Sequence, residues 1–416
     1  MHLLYTLAWW LILPFAFIHL LWRARRQPDY LRHWGERLGG APRLADRPVI
    51  WVHAVSVGET RAAAPLIEAL RARHPEHTLL LTHTTPTGRQ TGAALFGADI
   101  VQAYLPYDLP WFVRRFLDRT APHLGVILET EVWPNLLAAC ERRGVPVYLV
   151  NARLSERSAR GYARFQPLTR ASLTCFRGIA AQTAADAERL QGLGAPAVRV
   201  AGNLKFDVPP PPNTPYKAAE LRAAYGARFV FLAASTREGE EALLLEALAA
   251  LDLPGLLLII VPRHPQRFEA VARLAIQRGL TLTRRSERRA VAPACRVFLG
   301  DSMGEMAAYY AACDVAYVGG SLLPYGGQNL IEAAAAGVPV LIGPHTWNFA
   351  EAAEAAVACG AALRVKDADG LKQALTALHA DAELRRRMGA AGVAYARAHR
   401  GATERIMAML EDALPA

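Results

Sequence analysis

The stretch that decides the fold, residues 319–339, reads GGSLLPYGGQNLIEAAAAGVP. Its glycines predict a turn, residues 329–337 predict a helix, and a short apolar strand follows. Such a turn lets the backbone approach a ligand closely, and the free N–H groups of a helix start attract phosphate. Glu332, about one turn into the helix, is placed to accept hydrogen bonds from ribose hydroxyls. An ordinary loop–helix–strand unit is the alternative interpretation.

Three strands predicted before this stretch also end in polar or charged residues. Ser235 and Thr236 follow residues 229–234, where they could cap a helix aimed at a phosphate. Arg263 follows residues 256–261, and the string GDSMGEM (300–306) follows residues 297–299. Ligands bind at the carboxyl edge of open parallel sheets, so we expect a nucleotide site at this edge. Each feature alone also fits a simple cap or loop.

The whole chain repeats one pattern in two halves. Short apolar runs alternate with helical stretches, which is typical of parallel sheets covered by helices. Four prolines at residues 209–212 interrupt the pattern and predict a stiff linker. We therefore expect an α/β domain at 27–208, a linker at 209–216, and a second α/β domain with a helical tail at 217–416. A cleft between two such domains is a favoured ligand location.

The N-terminus predicts a membrane anchor. Residues 3–22 read LLYTLAWWLILPFAFIHLLW and carry no formal charge. A helix of this length reaches about 30 Å, the thickness of the hydrocarbon core. Basic residues follow it, which places the rest of the chain in the cytoplasm: Arg23, Arg25 and Arg26 in a stem ending at residue 26, then Arg32 and Arg37. A full span and a helix lying in the interface both fit, whereas a cleaved signal peptide would carry its charges first.

The composition of the chain indicates which classes of partner it binds. The 47 Lys and Arg outnumber the 37 Asp and Glu, giving +10, which favours phosphorylated substrates, anionic lipid or nucleic acid. Nucleic acid is not expected because no basic recognition helix or stacking platform is visible. The run at 284–289 (RRSERR) predicts a solvated surface. Five cysteines without a C-x-x-C pair indicate free buried thiols rather than disulfides or zinc ligands.

Two interpretations fit Ser56-Val57-Gly58-Glu59. The spacing is that of a capping box, in which Ser56 caps a helix and Glu59 reaches back to the Ser56 N–H. Alternatively, Glu59 is a general base. A helix N-terminus weakens a carboxylate as a base, and burial beside an anion strengthens it. Lys205, just before the linker, either reaches the cleft or is a solvated hinge residue.

Seven strings together resemble the 3-deoxy-D-manno-octulosonic acid (Kdo) transferases, whose fold is GT-B, with two Rossmann-like domains facing a cleft. They are HAVSVGE (53–59), TPTG (85–88), ETEVWPN (129–135), GNLKFD (202–207), VPRHP (261–265), DSMGE (301–305) and GGQNLIEAAAAGVPV (326–340). The last string is shared with many GT-B enzymes, and the N-terminal strings are more specific. The likeness spans nearly the whole chain, including the anchor.

The resemblance implies transfer of Kdo from CMP-Kdo to the lipid A precursor at the inner membrane, with inversion and without a cofactor or required metal. It places Glu59 on the catalytic base, and Glu129 and Lys205 on residues that stabilise the transition state. It places the CMP site on Pro262, Arg263, Met303, Gly304, Glu305, Asn329, Leu330, Ile331 and Glu332. Further candidate binding residues are Ser56, Gly58, Ser235, Thr236, Gly326, Gly327 and Gln328.

Two departures and two rival functions remain. Gln328 and Arg237 stand where the family often has histidine, which affects the nucleotide contacts. One rival is another enzyme of this fold, a UDP-sugar transferase or a nucleotide-sugar epimerase. The other is a non-catalytic, membrane-tethered binder of lipid or nucleotide. The D-x-D string at 367–369 lies in a late polar stretch, away from the glycine-rich loop, and we expect it to be solvated surface.

Overall fold

The computed structural model describes residues 1–25, 27–44 and 46–414. Arg26, which we counted in the basic stem, lies outside the described residues. The chain divides into two compact units. The N-terminal unit comprises Met1–Val208 together with the chain from Arg400 onward, and the C-terminal unit comprises Pro209–His399. Each unit contains one seven-stranded parallel sheet with helices, which confirms the predicted α/β class.

The N-terminal unit has the strand order β3-β2-β1-β4-β5-β6-β7. The strands are β1 (Val49–His53), β2 (Thr78–His83), β3 (Val101–Tyr104), β4 (Pro122–Leu128), β5 (Val147–Ala152), β6 (Gly178–Ala181) and β7 (Val198–Val200). The helices are α1 (His2–Ala24), α2 (Val57–Arg73), α3 (Pro86–Phe96), α4 (Pro110–Thr120), α5 (Pro134–Arg142), α6 (Glu156–Ala163), α7 (Gln166–Leu173) and α8 (Ala184–Gly192).

The C-terminal unit has the strand order β10-β11-β9-β8-β12-β13-β14. The strands are β8 (Phe229–Thr236), β9 (Leu256–Pro262), β10 (Leu282–Arg284), β11 (Val297–Leu299), β12 (Val315–Val318), β13 (Val340–Ile342) and β14 (Ala362–Arg364). The helices are α9 (Thr214–Tyr225), α10 (Glu240–Ala249), α11 (Phe268–Gln277), α12 (Met306–Ala311), α13 (Ile331–Ala335), α14 (Ala350–Ala358), α15 (Ala368–Ala380) and α16 (Ala382–Ala398). A last helix, α17 (Ala402–Leu410), completes the chain's described secondary structure apart from short 3-10 turns.

The central strands are apolar because helices cover both faces of each sheet. All five residues of β1 (VIWVH) and all seven of β9 (LLLIIVP) are buried. A strand buried on both faces needs a continuous apolar run rather than an alternating one. The polar residues that follow such strands are therefore collected at the carboxyl edge of each sheet, where a ligand would bind.

Helix α17 corrects the expected domain boundary. We expected residues 217–416 to form one domain, but the chain from Arg400 onward belongs to the N-terminal unit. The side chains of Ile406, Met407 and Leu410 are buried in the same core cluster as those of α2 and β1. The Asp207 carboxylate accepts hydrogen bonds from the backbone N–H groups of Gly401 (2.7 Å) and Thr403 (2.6 Å), which holds the helix start in place.

Helix α1 is long and apolar enough to cross a membrane, judged by length and composition alone. Its 23 residues include Pro14. Of the basic residues that we placed after it, Arg37 is not a free charge on the surface. Its side chain is buried, donates a hydrogen bond to the Thr84 carbonyl (2.9 Å) and lies over the Tyr104 ring.

Candidate active site

Glu59 lies in the first turn of α2, at the carboxyl edge of the N-terminal sheet. Ser56 caps the helix, accepting the Glu59 N–H at 3.5 Å, and its hydroxyl lies 3.1 Å from Glu59 Oε1. The other carboxylate oxygen accepts the backbone N–H of Val55 at 2.8 Å. The capping box is thus shifted by one residue from the predicted form, which paired Glu59 with the Ser56 N–H.

Burial decides the electrostatics of Glu59. Removal from water and the neighbouring carboxylates of Glu129 and Glu131 raise the pKa of Glu59 to about 7, against the opposing hydrogen bonds from Val55 and Ser56. The sequence left open whether the helix start or burial has the larger effect on the pKa of Glu59. In the structure, burial has the larger effect. A carboxylate with a pKa near neutrality is suited to accept a proton at physiological pH.

The TPTG string holds the neighbouring loop against this turn. The Thr85 side chain caps α3 by accepting the Gly88 N–H at 3.1 Å, and its hydroxyl donates to the Val55 carbonyl at 3.0 Å. A Cβ on Gly88 would lie 3.0 Å from both of these oxygens, so a larger residue there would push the two loops apart by a few tenths of an ångström. The loop that contains Thr85 therefore holds the segment just before Glu59 in place.

The structure brings Glu129 and Lys205 together in an ion pair. The Lys205 ammonium nitrogen lies 3.4 Å from Glu129 Oε1, and both side chains are largely shielded from water. Glu129 adopts a positive φ of 59°, a conformation that is costly for a non-glycine residue. Asn151 fixes the Lys205 segment because its side-chain oxygen accepts the Leu204 N–H at 3.0 Å.

In the C-terminal unit, the ends of β8 and β12 approach each other closely. A Cβ on Gly319 would come within 2.5 Å of the Ser235 carbonyl oxygen, so only glycine fits. Ser235 itself has a positive φ of 56°. The strand β8 continues through Thr236, whose hydroxyl bonds to Glu241 at 3.1 Å. The prediction that Ser235 or Thr236 caps the following helix is therefore wrong, because α10 begins after Gly239 and has no side-chain cap.

Basic side chains lie beside the glycine-rich turn at residues 319–327, called the glycine turn below. Arg263 Nε donates to Gln328 Oε1 at 3.3 Å, and Arg237 lies 3.4 Å from His264 Nε2 and over the Tyr325 ring. Burial and the two guanidinium groups lower the pKa of His264. The two guanidinium groups beside the turn offer positive charge that is suited to bind an anion. Arg237, seen in the sequence only as a departure from the family, is part of this cluster.

The helix after the glycine turn is shorter than predicted. It covers Ile331–Ala335 rather than residues 329–337, because Asn329 folds back on the chain. The Asn329 side chain accepts the Ile331 N–H at 3.1 Å and donates to Glu332 Oε1 at 2.9 Å. Leu330 and Ile331 are buried, whereas Glu332 is exposed and open to a ligand. Gly326 and Gly327, both with positive φ, form the buried floor of the turn.

The predicted site residues at 303–305 divide into two kinds. Met303 is 60% exposed, and Gly304 has a positive φ. Glu305 is buried and binds Arg285, Lys217 and Ser302 at 2.7–3.3 Å. Although burial opposes ionisation, these partners hold the pKa of Glu305 near 2. Arg285 is thus half-buried in an ion-pair network. The prediction of a solvated surface stretch at 284–289 is therefore wrong for Arg285, and it is correct for residues 286–289, which are exposed.

Glu240 organises the glycine turn, and the sequence did not identify it. This buried carboxylate accepts hydrogen bonds from the Tyr317 hydroxyl (2.6 Å) and from the N–H groups of Gly320 (2.6 Å) and Leu322 (3.1 Å). It also accepts the Arg237 N–H at 2.9 Å. The only sequence signal was its place one residue after Gly239, in an acidic string that also fits an ordinary helix start.

Possible metal ligands lie elsewhere. Within the described ranges, the one group of His, Cys, Asp and Glu close enough to share an ion is His74, Glu76 and His77. It follows the last turn of α2, about 20 Å along the helix from Glu59. Asp367, in the D-x-D string, caps α15 by accepting the Gly370 N–H, and Asp369 pairs with Lys372.

Comparison with known proteins agrees with this architecture. Residues 216–394 match the family described as glycosyl transferases group 1. The structure of UDP-GlcNAc 2-epimerase from Neisseria meningitidis bound to UDP-GlcNAc superimposes with a TM-score of 0.61 over 88% of this chain and 100% of that one. At 15% identity this likeness concerns the fold alone. The sheets, strand-end sites and family match together define a glycosyltransferase with a GT-B fold.

The family is more specific. Residues 32–208 match the family described as 3-deoxy-D-manno-octulosonic-acid transferase (kdotransferase). The 3-deoxy-D-manno-octulosonic acid transferase of Bordetella pertussis is 46% identical over 98% of both chains. That of Haemophilus influenzae is 37% identical over 96% of this chain and 95% of its own. The chain belongs to the 3-deoxy-D-manno-octulosonic acid transferase family.

Proposed function

We propose that this enzyme transfers Kdo from CMP-Kdo to the lipid A precursor of lipopolysaccharide, with inversion at the anomeric carbon and without a required metal ion. Glu59 carries the proposal. Its pKa near 7 gives a base that is substantially ionised at neutral pH and can accept a proton from a sugar hydroxyl. The family membership of the chain supports the choice of Kdo as the transferred sugar.

The reaction is a single displacement. Glu59 takes the proton of the acceptor hydroxyl, whose oxygen forms a bond to the anomeric carbon of Kdo. The bond from that carbon to the phosphate oxygen breaks, and CMP leaves with the electron pair. Attack from the face opposite the leaving group inverts the anomeric carbon. In this proposal Glu129 stabilises the oxocarbenium-like transition state, and Lys205 holds the Glu129 carboxylate in place.

The donor is assigned to the C-terminal unit. CMP-Kdo carries one phosphate and one sugar carboxylate, and Arg237 and Arg263 beside the glycine turn offer matching positive charge. Pro262, Asn329 and Glu332 are assigned to the cytidylate, with the backbone of the glycine turn. Glu305 is assigned an indirect role, because its carboxylate is already bound by three side chains. Two arginines can neutralise the leaving phosphate without Mg²⁺.

The cellular location follows from the acceptor and the anchor. The lipid A precursor is a membrane lipid, and α1 offers an apolar helix at the start of the unit that contains Glu59. We assign the enzyme to the inner membrane, with both units in the cytoplasm, because the basic residues that follow the helix favour the anionic cytoplasmic surface of the membrane. Nucleic acid is not assigned as a partner.

The test uses purified enzyme, CMP-Kdo and the lipid A precursor lipid IVA, with mass analysis of the product and NMR of the anomeric configuration. Transfer should persist in EDTA and should fail with UDP-sugars. Glu59→Gln should abolish transfer, a loss of at least about 10²-fold, and should retain CMP binding. Glu68→Gln on the exposed face of the same helix is the matched control and should remain active. Transfer of a UDP-sugar, or full activity of Glu59→Gln, contradicts the proposal.

A further inference from the structure

Helix α1 contacts the N-terminal unit along one face, from its first turn to its last. The positions less exposed to solvent recur every three or four residues, as expected of a helix with a single docked face. They are His2, Tyr5, Thr6, Trp9, Leu13, Ala16, Phe17, Leu20 and Ala24. From Tyr5 to Ala24 the helix rises about 28 Å, which is nearly the thickness of a bilayer's hydrocarbon core, about 30 Å.

The start of α1 is held by polar contacts. The Tyr5 hydroxyl donates to Asp108 Oδ2 at 2.9 Å, and the Thr6 hydroxyl lies 3.1 Å from Asn135 Oδ1. The Asp108 carboxylate is itself buried and accepts the backbone N–H groups of Asn135 (3.0 Å) and Leu136 (2.8 Å). The first turns of α1 are thus joined to the first turn of α5 through a buried carboxylate.

The middle and end of α1 are held by aromatic and apolar contacts. The Trp9 ring lies 6.0 Å from the Tyr107 ring and 6.5 Å from the Trp133 ring, measured between centroids. Phe17 packs edge-on against Tyr107 at 5.9 Å and against Trp34 at 5.8 Å. Leu20 and Ala24 form a buried cluster with Tyr30. No part of the helix longer than two turns lacks a contact with the unit among the residues described.

The opposite face of α1 is apolar and exposed. Its side chains are Leu3, Leu4, Leu7, Trp10, Leu11, Ile12, Phe15, Ile18, Leu21 and Trp22, each more than half exposed. The same unit adds exposed Trp34, which contacts Phe17, and Trp111, three residues after Asp108. Exposed arginines accompany this apolar surface: Arg23 and Arg25 at the end of α1, Arg32 before Trp34, and Arg114 one turn after Trp111.

We infer that α1 lies in the plane of the membrane interface, with its outer face in lipid and both of its ends on the same side as the globular unit. A helix crossing the bilayer in this docked arrangement would carry the buried Asp108 carboxylate and its loop to hydrocarbon depth, where charges and non-helical backbone are strongly disfavoured. The arginines select an anionic bilayer surface as the partner. This inference does not depend on the proposed reaction.

Membrane sidedness tests the inference directly. Full-length enzyme carrying one protease-cleavable epitope tag before Met1 and another after residue 416 is prepared in inverted inner-membrane vesicles. Protease added outside should remove both tags from intact vesicles. Removal of the C-terminal tag alone, with the N-terminal tag protected until detergent is added, would show a crossing helix and overturn the inference.

Lipid is tested as the occupant of the outer face with vesicles of phosphatidylethanolamine and phosphatidylglycerol. Leu11→Asp with Phe15→Asp should weaken vesicle binding at least tenfold, and Ile276→Asp, an equally exposed apolar position in the C-terminal unit, should change it less than twofold. Arg23→Gln with Arg25→Gln should weaken binding only where phosphatidylglycerol is present. A disulfide-linked dimer of Leu11→Cys in membranes would instead identify a second copy as the occupant and overturn the lipid assignment.

Discussion

The ammonium nitrogen of Lys205 lies 3.4 Å from Glu129 Oε1, although 76 residues separate them in the chain. Glu129 directly follows β4 in a strained positive-φ conformation, and Lys205 lies in a short turn held by Asn203 and Asn151. Both side chains are mostly shielded from water. An ion pair assembled from two such constrained segments is positioned by the fold rather than by the attraction of its charges.

Removing the Lys205 charge should impair catalysis more than stability. We expect Lys205→Ala to lower kcat by about 10²-fold, because the Glu129 carboxylate loses its orienting partner. Lys205→Arg should recover part of the loss, since it keeps the charge. Steady-state transfer assays with thermal unfolding measure both effects. Lys372→Ala removes an exposed ion pair in the other unit and should leave kcat unchanged. Equal kcat in the Lys205→Ala and Lys372→Ala variants would remove Lys205 from the mechanism.

The activity should follow the ionisation of Glu59. Because burial raises the pKa of Glu59 to about 7, kcat/KM should rise with pH below about 7 and level off above it. The stability effect has the opposite sign. A carboxyl group with a raised pKa favours the folded state below its unfolded value, about 4.3, and this contribution is lost as pH rises to 7.

Two measurements check this pH dependence. Initial rates over a range of pH give the kcat/KM profile, and urea unfolding at the same pH values gives stability. Glu59→Gln, which cannot ionise, should lose less stability than the wild type between pH 4.5 and 7. A kcat/KM profile that is flat through this interval would contradict the assignment of Glu59 as the base.

Gly58 tests whether the acceptor approaches the first turn of α2. A Cβ at this position meets only the Ser56 hydroxyl oxygen, at 3.9 Å, and its φ is not positive. The fold therefore does not require glycine there, and alanine should leave stability unchanged or raise it by up to about 1 kcal/mol. We expect Gly58→Ala to lower activity at least tenfold by filling space that the acceptor needs. Gly192→Ala in α8 also adds a methyl group in open space, and it should stay active. Normal kinetics of Gly58→Ala would place the acceptor elsewhere.

Glu240 tests the organisation of the glycine turn. In Glu240→Gln an NH₂ group must face backbone N–H donors, which removes at least one hydrogen bond and costs about 1–3 kcal/mol. KM for CMP-Kdo should rise more than kcat falls, because the turn is displaced while Glu59 is untouched. Glu246→Gln on the exposed face of the same helix is the control. Calorimetric CMP binding checks the result, and unaltered affinity in a destabilised variant would limit Glu240 to a structural role.

The sequence predicted the central strands and missed those at the sheet edges. Residues 229–234 and 256–261 were identified because strands buried on both faces are continuously apolar. The missed strands are β3, β7, β10 and β14, and each lies at an edge of its sheet. An edge strand covers little core, so short polar sequences such as VRV and LTR suffice there. Apolar periodicity cannot distinguish such segments from loops.

For the site, the sequence identified residues through motif and strand-end position, and it failed where a role depends on contacts distant in the chain. Glu240 binds the N–H groups of Gly320 and Leu322, which lie about 80 residues further along the chain. Arg285 binds Glu305, which lies 20 residues further along. Neither partner can be read from local spacing. The roles assigned to Glu59, Glu129 and Lys205 remain predictions that the variants above test.

Helix α17 has a consequence for biosynthesis. Its side chains complete the core beside α2 and β1, yet the ribosome makes them only after the whole C-terminal unit has been synthesised. Until α17 has been made, the N-terminal unit therefore exposes the apolar surface that this helix will cover. Folding of this enzyme cannot proceed strictly from front to back, and nascent chains released early would expose that unfilled core to chaperones and proteases.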